Sequence, residues 1–199
     1  MKRIFVAFDI EHTGNTLLAI GMCVGDESGT VLKKRRANVK VKWPSGEDLG
    51  DFETRCWNEF WSRQPAELIQ TLQEEAKDLK QSMDTLVSWL DELEREFPAP
   101  EYKIKFLSDN PSFDIGNLDH YLKEQCGRRA LRYSSTGTYR AVDNPDDMLD
   151  VFPKSVVKTE TEEIKKVIVH DHNPANDAEY IYRQYLLVLK LKQQYFGSQ

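Results

Sequence analysis

Lys2-Arg3-Ile4-Phe5-Val6-Ala7-Phe8-Asp9-Ile10-Glu11 is the stretch on which the fold turns. Aromatic and β-branched residues with few polar breaks make residues 2–11 a strand. A nearly continuous apolar run marks a strand covered on both faces, hence central in its sheet. Side chains alternate along a strand, so Asp9 and Glu11, two apart, share one face. They stand at its C-terminal end, before the turn His12-Thr13-Gly14-Asn15, and open α/β sheets present ligands at that edge. Two carboxylates on one face beside a core repel each other and lose hydration unless something cationic joins them.

Working outward, residues 16–26 read as a second strand and residues 30–42 as a third, joined by the turn Asp26-Glu27-Ser28-Gly29. Short turns between three strands make an antiparallel meander. Helical periodicity begins near Asp51, with Phe52, Cys56 and Phe60 four apart and Trp57 and Trp61 on the adjoining face. From Pro65 to Phe97 apolar residues recur in steps of three and four. One unbroken helix of that length is unexpected in a small domain, so a break is placed near Gln81-Ser82, with Ser82 as N-cap. Residues 102–108 form the next strand, and a helix from about Asp114 to Cys126 is ended by Gly127. Residues 129–135 look extended, and Ser134 to Pro153 reads as a long surface loop. Thr159 with Glu162 suggests a capping box for a short helix ending near Val167. The last helix starts around Pro174, a residue suited to a first turn, and runs to about Phe196. The expected fold is α/β: a mixed sheet with a three-strand antiparallel meander followed by α/β crossovers, and helices on both faces. With 199 residues and neither repeat nor linker, residues 1–199 read as a single domain.

Composition narrows the function. With 40% hydrophobic and 30% charged residues the chain reads as soluble and globular, with no apolar stretch near the ~20 residues of a membrane helix. Cys23, Cys56 and Cys126 are scattered without CxxC spacing. That pattern points to free thiols in a reducing compartment such as the cytoplasm, and away from zinc. The net charge of −6 runs against the usual basic nucleic-acid binder. Bound divalent ions would offset part of it. Basic residues cluster at Lys33-Lys34-Arg35-Arg36 with Lys40 and Lys42, and at Lys123, Arg128, Arg129 and Arg132, more often a solvated face than a binding track. There is no GxxxxGK[ST] phosphate loop and no GxSxG nucleophile elbow.

Two further acidic stations follow the first. Asn110-Pro111-Ser112-Phe113-Asp114 follows a strand and opens a helix, so Asp114 reads either as a plain capping aspartate or as a third acid at the same sheet edge. Asp177 lies in the first turn of the last helix, and His172 on the loop before it could take a proton from water. His170 is the rival base. Four carboxylates and a histidine suit two hard divalent cations held against a phosphodiester.

The three stations together resemble the DEDDh family of 3′→5′ exonucleases, which have an RNase H-like fold. Phe8-Asp9-Ile10-Glu11-His12-Thr13-Gly14 is similar to its first motif, Asn110 to Phe113-Asp114 to its second, and His172-Asn173-Pro174-Ala175-Asn176-Asp177-Ala178 to its third. The H-x4-D spacing matches His172 rather than His170. It also differs from the Y-x3-D arrangement of the sister group. The resemblance implies two ions, Mg²⁺ or Mn²⁺. Asp9 would bridge them, Glu11 and Asp177 would hold the one carrying the nucleophilic water, and Asp114 would support the second through water. His172 would be the general base. Substrate contacts would fall to His12, Thr13, Gly14, Asn110 and Phe113. The family usually has threonine where this chain has His12. The implied reaction releases nucleoside 5′-monophosphates from the 3′ end of single-stranded DNA or RNA. Two other readings compete: an RNase H-like binding module with weak or no catalysis, in which Trp57 and Trp61 could stack or dock, and a structural protein whose acids are surface charges.

Overall fold

The computed structural model describes residues 1–14, 16–128 and 141–197. The meander is present: β1 (Lys2–His12), β2 (Leu17–Asp26) and β3 (Val31–Asn38) pair antiparallel in sequence order. After three helical segments the chain returns as β4 (Tyr102–Leu107), parallel to β1. Among the described residues the sheet has five strands in the order β3-β2-β1-β4-β5, where β5 is Val142–Asp143. β1 is therefore central, as its apolar run requires.

Alternation along β1 divides the core. Ile4, Val6, Phe8 and Ile10 face one side, against Met83, Leu86, Leu90 and Leu93 of α3 (Leu79–Glu96) and Ile115, Leu118 and Leu122 of α4 (Asp114–Cys126). Phe5 and Ala7 face the other, against Ala178, Ile181, Tyr182 and Tyr185 of α7 (Pro174–Phe196). Asp9 and Glu11 continue this second row, so the acids point to the α7 side. A smaller aromatic cluster of Phe52, Trp61, Trp43 and Phe60 covers Leu18 and Ala19.

Several elements differ from expectation. The helical region after Asp51 is α1 (Thr54–Glu59), a 3₁₀ turn over Trp61–Arg63, and α2 (Ala66–Gln73). The break before α3 comes earlier than Ser82, and Asp78 is the N-cap, accepting from the Gln81 amide at 2.8 Å. The cause is tertiary. Val39 bridges to Lys77 beyond β3, and the Asn38 side chain donates to the carbonyls of Thr71 and Glu74, ending α2. Ser82 is buried in the second turn of α3 and donates to the Asn38 carbonyl. The third strand accordingly ends at Asn38 rather than 42.

The capping box at Thr159 and Glu162 does not form. α6 (Lys154–Lys165) begins directly after Pro153, and the Thr159 hydroxyl, now mid-helix, donates to the Ser155 carbonyl. Part of the expected 134–153 loop is ordered as β5 and α5 (Pro145–Leu149). The extended stretch expected at 129–135 lies outside the described residues. The remaining helices start and stop as read. Gly127 takes the left-handed conformation after α4 (φ 59°), and Asn173 caps α7 ahead of Pro174.

The basic run on β3 is used up in the fold. Lys33 pairs with Glu92 and Glu96 of α3, Arg35 with Glu92 at 2.7 Å, Lys34 with Glu179 of α7 at 2.9 Å, and Arg36 with Glu74 at 3.7 Å. β3 is the sheet edge, and charged side chains on an edge strand also discourage pairing with another chain. The three cysteines are unpaired. Among the described residues, no helix is long and apolar enough to cross a membrane.

Candidate active site

Parallel pairing aligns the ends of β1 and β4. Their last paired residues are Ala7 and Leu107, so two positions on, Asp9 and Asp109 leave the same edge of the sheet. One turn later Asp114 opens α4 with its backbone amide bonded to the Asn110 carbonyl at 2.9 Å. The buried Ser108 hydroxyl donates to Asp114 Oδ2 at 2.6 Å. On the opposite side, Asn173 starts α7 and places Asp177 in its first turn, where Asp177 Oδ1 accepts from the Asp171 amide at 3.1 Å. Sequence-distant acids meet here because four chain segments end at one sheet edge.

They form two adjoining groups. Ligand atoms of Glu11, His172 and Asp177 lie within 4.8 Å of one another, and so do those of Asp9, Asp109 and Asp114. Asp9, Glu11, Asp114 and Asp177 are all buried. Burial pushes the carboxyl of Asp9 well up, reinforced by Glu11, Asp177, Asp114 and Asp109 in turn. Burial likewise raises Glu11, and raises Asp114 and Asp177 to about 7. Among the described side chains, Asp9 Oδ2 is buried without any hydrogen-bond partner. An ionised oxygen sealed from water and bonded to nothing is costly unless a cation reaches it. The donor set, carboxylates with one imidazole, fits hard divalent ions bound through oxygen.

His172 is held in a left-handed backbone conformation (φ 60°), a strained state for a residue with a side chain. Its Nδ1 lies 3.5 Å from Glu11 Oε1, and that contact raises its pKa. The Phe60 ring meets the imidazole edge-on, with centroids 4.7 Å apart. His170 is also close: its Nε2 lies 3.7 Å from Asp177 Oδ2, and burial lowers its pKa. Both histidines thus border the acid cluster.

The expected substrate contacts separate. Phe113 is exposed, with its ring edge-on to His12 at 5.3 Å, and Asn110 is exposed at the turn. The His12 ring nitrogens are buried without hydrogen bonds, and its carbonyl accepts from Trp61 Nε1 at 2.9 Å. Thr13 is fully buried and spends its hydroxyl on the Asp51 carbonyl. Gly14, at φ 98°, leaves room for Glu53, whose side chain occupies the place of a Cβ. Trp61 is buried in the core and Trp57 packs partly buried against the same cluster, so neither presents an open stacking surface.

Sequence reasoning missed Asp109, Ser108 and Phe60. Asp109 was legible as an acid directly after a strand that runs parallel to β1. The other two carry no signal beyond being a serine and an aromatic near a predicted motif.

The fold matches solved exonucleases. A zinc-bound complex of E. coli exonuclease I with single-stranded DNA gives a TM-score of 0.55 at 12% identity, over 98% of this chain and 41% of that one. E. coli exonuclease I with a dA16 oligonucleotide gives 0.52 at 12% identity, over 96% and 41%. A full-length 3′-exonuclease gives 0.50 at 14% identity, over 95% and 81%. The chain therefore spans about two fifths of the length of exonuclease I, at 41%. No protein-family model and no curated protein matches the sequence. At such identities the likeness is one of fold. The chain shares the α/β fold of these exonucleases, with a mixed sheet and helices on both faces.

Proposed function

We propose that the chain is a metal-dependent 3′→5′ exonuclease acting on the 3′ end of single-stranded DNA or RNA and releasing nucleoside 5′-monophosphates. The observation that carries this reading is the meeting of Asp9, Glu11, Asp114, Asp177 and His172 at one sheet edge, around the orphaned Asp9 Oδ2. The single-stranded DNA in complexes of E. coli exonuclease I supports the substrate class.

Two divalent cations, Mg²⁺ or Mn²⁺, would supply an activated water and neutralise the phosphate when bound. Asp9, acted on by the acids of both groups, would help to hold both. Glu11 and Asp177 would hold one and Asp114 the other. His172 would accept the proton of the attacking water on Nε2, because Nδ1, the nitrogen that faces Glu11, carries the hydrogen donated to that carboxylate. Glu11 prepares it by raising its basicity toward working pH. The bond formed is water oxygen to phosphorus, and the bond broken is phosphorus to the 3′ oxygen, which departs with the shortened strand. Phe113, exposed and packed edge-on to His12, would meet the terminal nucleotide together with it.

The test is to incubate the chain with matched DNA and RNA oligonucleotides, single-stranded and recessed, in Mg²⁺ or Mn²⁺, and to read product sizes by chromatography. Mononucleotides appearing from the 3′ end, abolished by chelator and by Asp9→Asn or Asp177→Asn, are expected. Digestion by either variant at the parent rate overturns the assignment. Binding without cleavage across a wide pH range favours a binding module instead.

A further inference from the structure

Beyond the five groups already assigned, the second acid group contains a carboxylate that the proposed chemistry has not used. We infer that Asp109 is a direct ligand of the second divalent cation, joining Asp9 and Asp114 as its third carboxylate. This rests on the exonuclease reading for its setting and deepens it.

Several observations converge. The β1–β4 register carries Asp109 to the sheet edge beside Asp9, so its position follows from the pairing rather than from a flexible loop. Its backbone is anchored there, since its carbonyl accepts from Asn144 Nδ2 at 2.8 Å ahead of α5. The side chain is half-buried, and its ligand atom lies within 4.8 Å of those of Asp9 and Asp114. Asp9, nine-tenths buried, belongs to this same group and carries an oxygen, Oδ2, that has no hydrogen-bond partner. Among the described residues no lysine or arginine is seen ion-paired with these three acids, and the basic run Lys33 to Arg36 is engaged with helices α3 and α7 and with Glu74.

The chemistry follows from ligand count. Supported by Asp9 and Asp114 alone, with Asp114 acting through water, a second ion would be weakly held until substrate phosphate arrived. A third carboxylate lets the protein hold that ion before substrate binds. Hard oxygen donors in this number suit Mn²⁺ and Mg²⁺. Ser108 fixes Asp114 by donating to Oδ2, and the Asp114 carboxyl lies in hydrogen-bonding contact with that of Asp109.

The experiment titrates Mn²⁺ into the substrate-free chain and counts bound ions by electron paramagnetic resonance and calorimetry. Parent, Asp109→Asn and Asp109→Ser are compared. The parent should bind two ions. Both variants should keep one ion at parent affinity and bind the second at least ~10-fold more weakly, the loss typical when a metal site loses a supporting group. Their melting temperatures in chelator should not fall, because Asn and Ser can still hydrogen-bond Asp114 while the charge that repels Asp9 and Asp114 in the metal-free protein is removed. Two ions bound at parent affinity in both variants overturns the proposal, as does a parent that binds a single ion. A parent that binds two ions yet digests no oligonucleotide removes the exonuclease reading while the ligand assignment stands. A parent that digests, with variants unchanged in Mn²⁺ binding, does the reverse.

Discussion

Gly21 pairs directly with Asp9 across the β1–β2 ladder, and the carbonyl of Pro174 occupies the place where a Cβ at Gly21 would sit. The absence of a side chain there lets the first turn of α7 rest on the sheet beside Asp9. That contact sets the height of Asp177 above Asp9 and Glu11. A residue with no chemistry of its own thus brings the first and third acidic stations together.

Gly21→Ala should therefore damage the site from outside it. The added methyl meets backbone rather than a flexible side chain, so α7 must lift. Overpacking of this kind costs roughly 1–3 kcal/mol. A fall in melting temperature together with weaker Mn²⁺ binding is expected in calorimetry. Unchanged ion affinity would show that the position of α7 is not limiting.

The two histidines can be separated kinetically. His172→Ala should slow turnover by the ~10²–10⁴-fold typical of a lost general base, while His170→Ala should cost less. His172 is the one whose pKa is raised by Glu11, whereas burial lowers that of His170. Phe60→Ala, which frees the imidazole face of His172, should lower turnover more than substrate affinity. The larger loss falling on His170→Ala would reverse the assignment.

Stability without metal should decline as pH rises. Asp114 and Asp177 are raised to about 7, and Asp9 and Glu11 are also raised, chiefly by burial. An unfolded chain ionises such acids near pH ~4, so between there and ~7 the folded form holds more protons and loses stability with rising pH. His172 acts in the same direction, its contribution vanishing as pH climbs through its raised value. His12 and His170, lowered by burial, act oppositely, costing stability as pH falls through ~6.5. In chelator the chain should melt lower at pH 8 than at pH 6, and Mn²⁺ should reverse the loss. Asp9→Asn should raise the pH 8 melting temperature in chelator while removing activity. At roughly 2–4 °C per kcal/mol for a chain of this size, scanning calorimetry resolves the effect. A flat profile would mean the acids are solvated.

The basic run should matter to folding rather than to substrate. Lys33→Ala with Arg35→Ala removes partners of Glu92 and Glu96 and should lower the melting temperature. Phosphate contacts give affinity a salt dependence that scales with their number. The slope of oligonucleotide affinity against salt should be the same in the double variant and the parent. A shallower slope would place the strand along β3 after all.

The sequence by itself determined the parts that depend on near neighbours. The apolar run of residues 2–11 makes a central strand wherever it lies. Gly127 ends α4 and Asn173-Pro174 starts α7 through local backbone preferences. The three acidic stations are short enough to be read whole. Tertiary structure decided what depends on distant partners. Asn38 broke the long helical region before Asp78, against the local appeal of Ser82. The helices opposite β3 turned a basic patch into ion pairs. The parallel register of β1 and β4 brought Asp109 to Asp9, and the bare backbone at Gly21 let α7 close over them. Hydrogen-bond and charge partners chosen across the sheet leave no periodic trace in the chain, because each is set by where a remote segment ends.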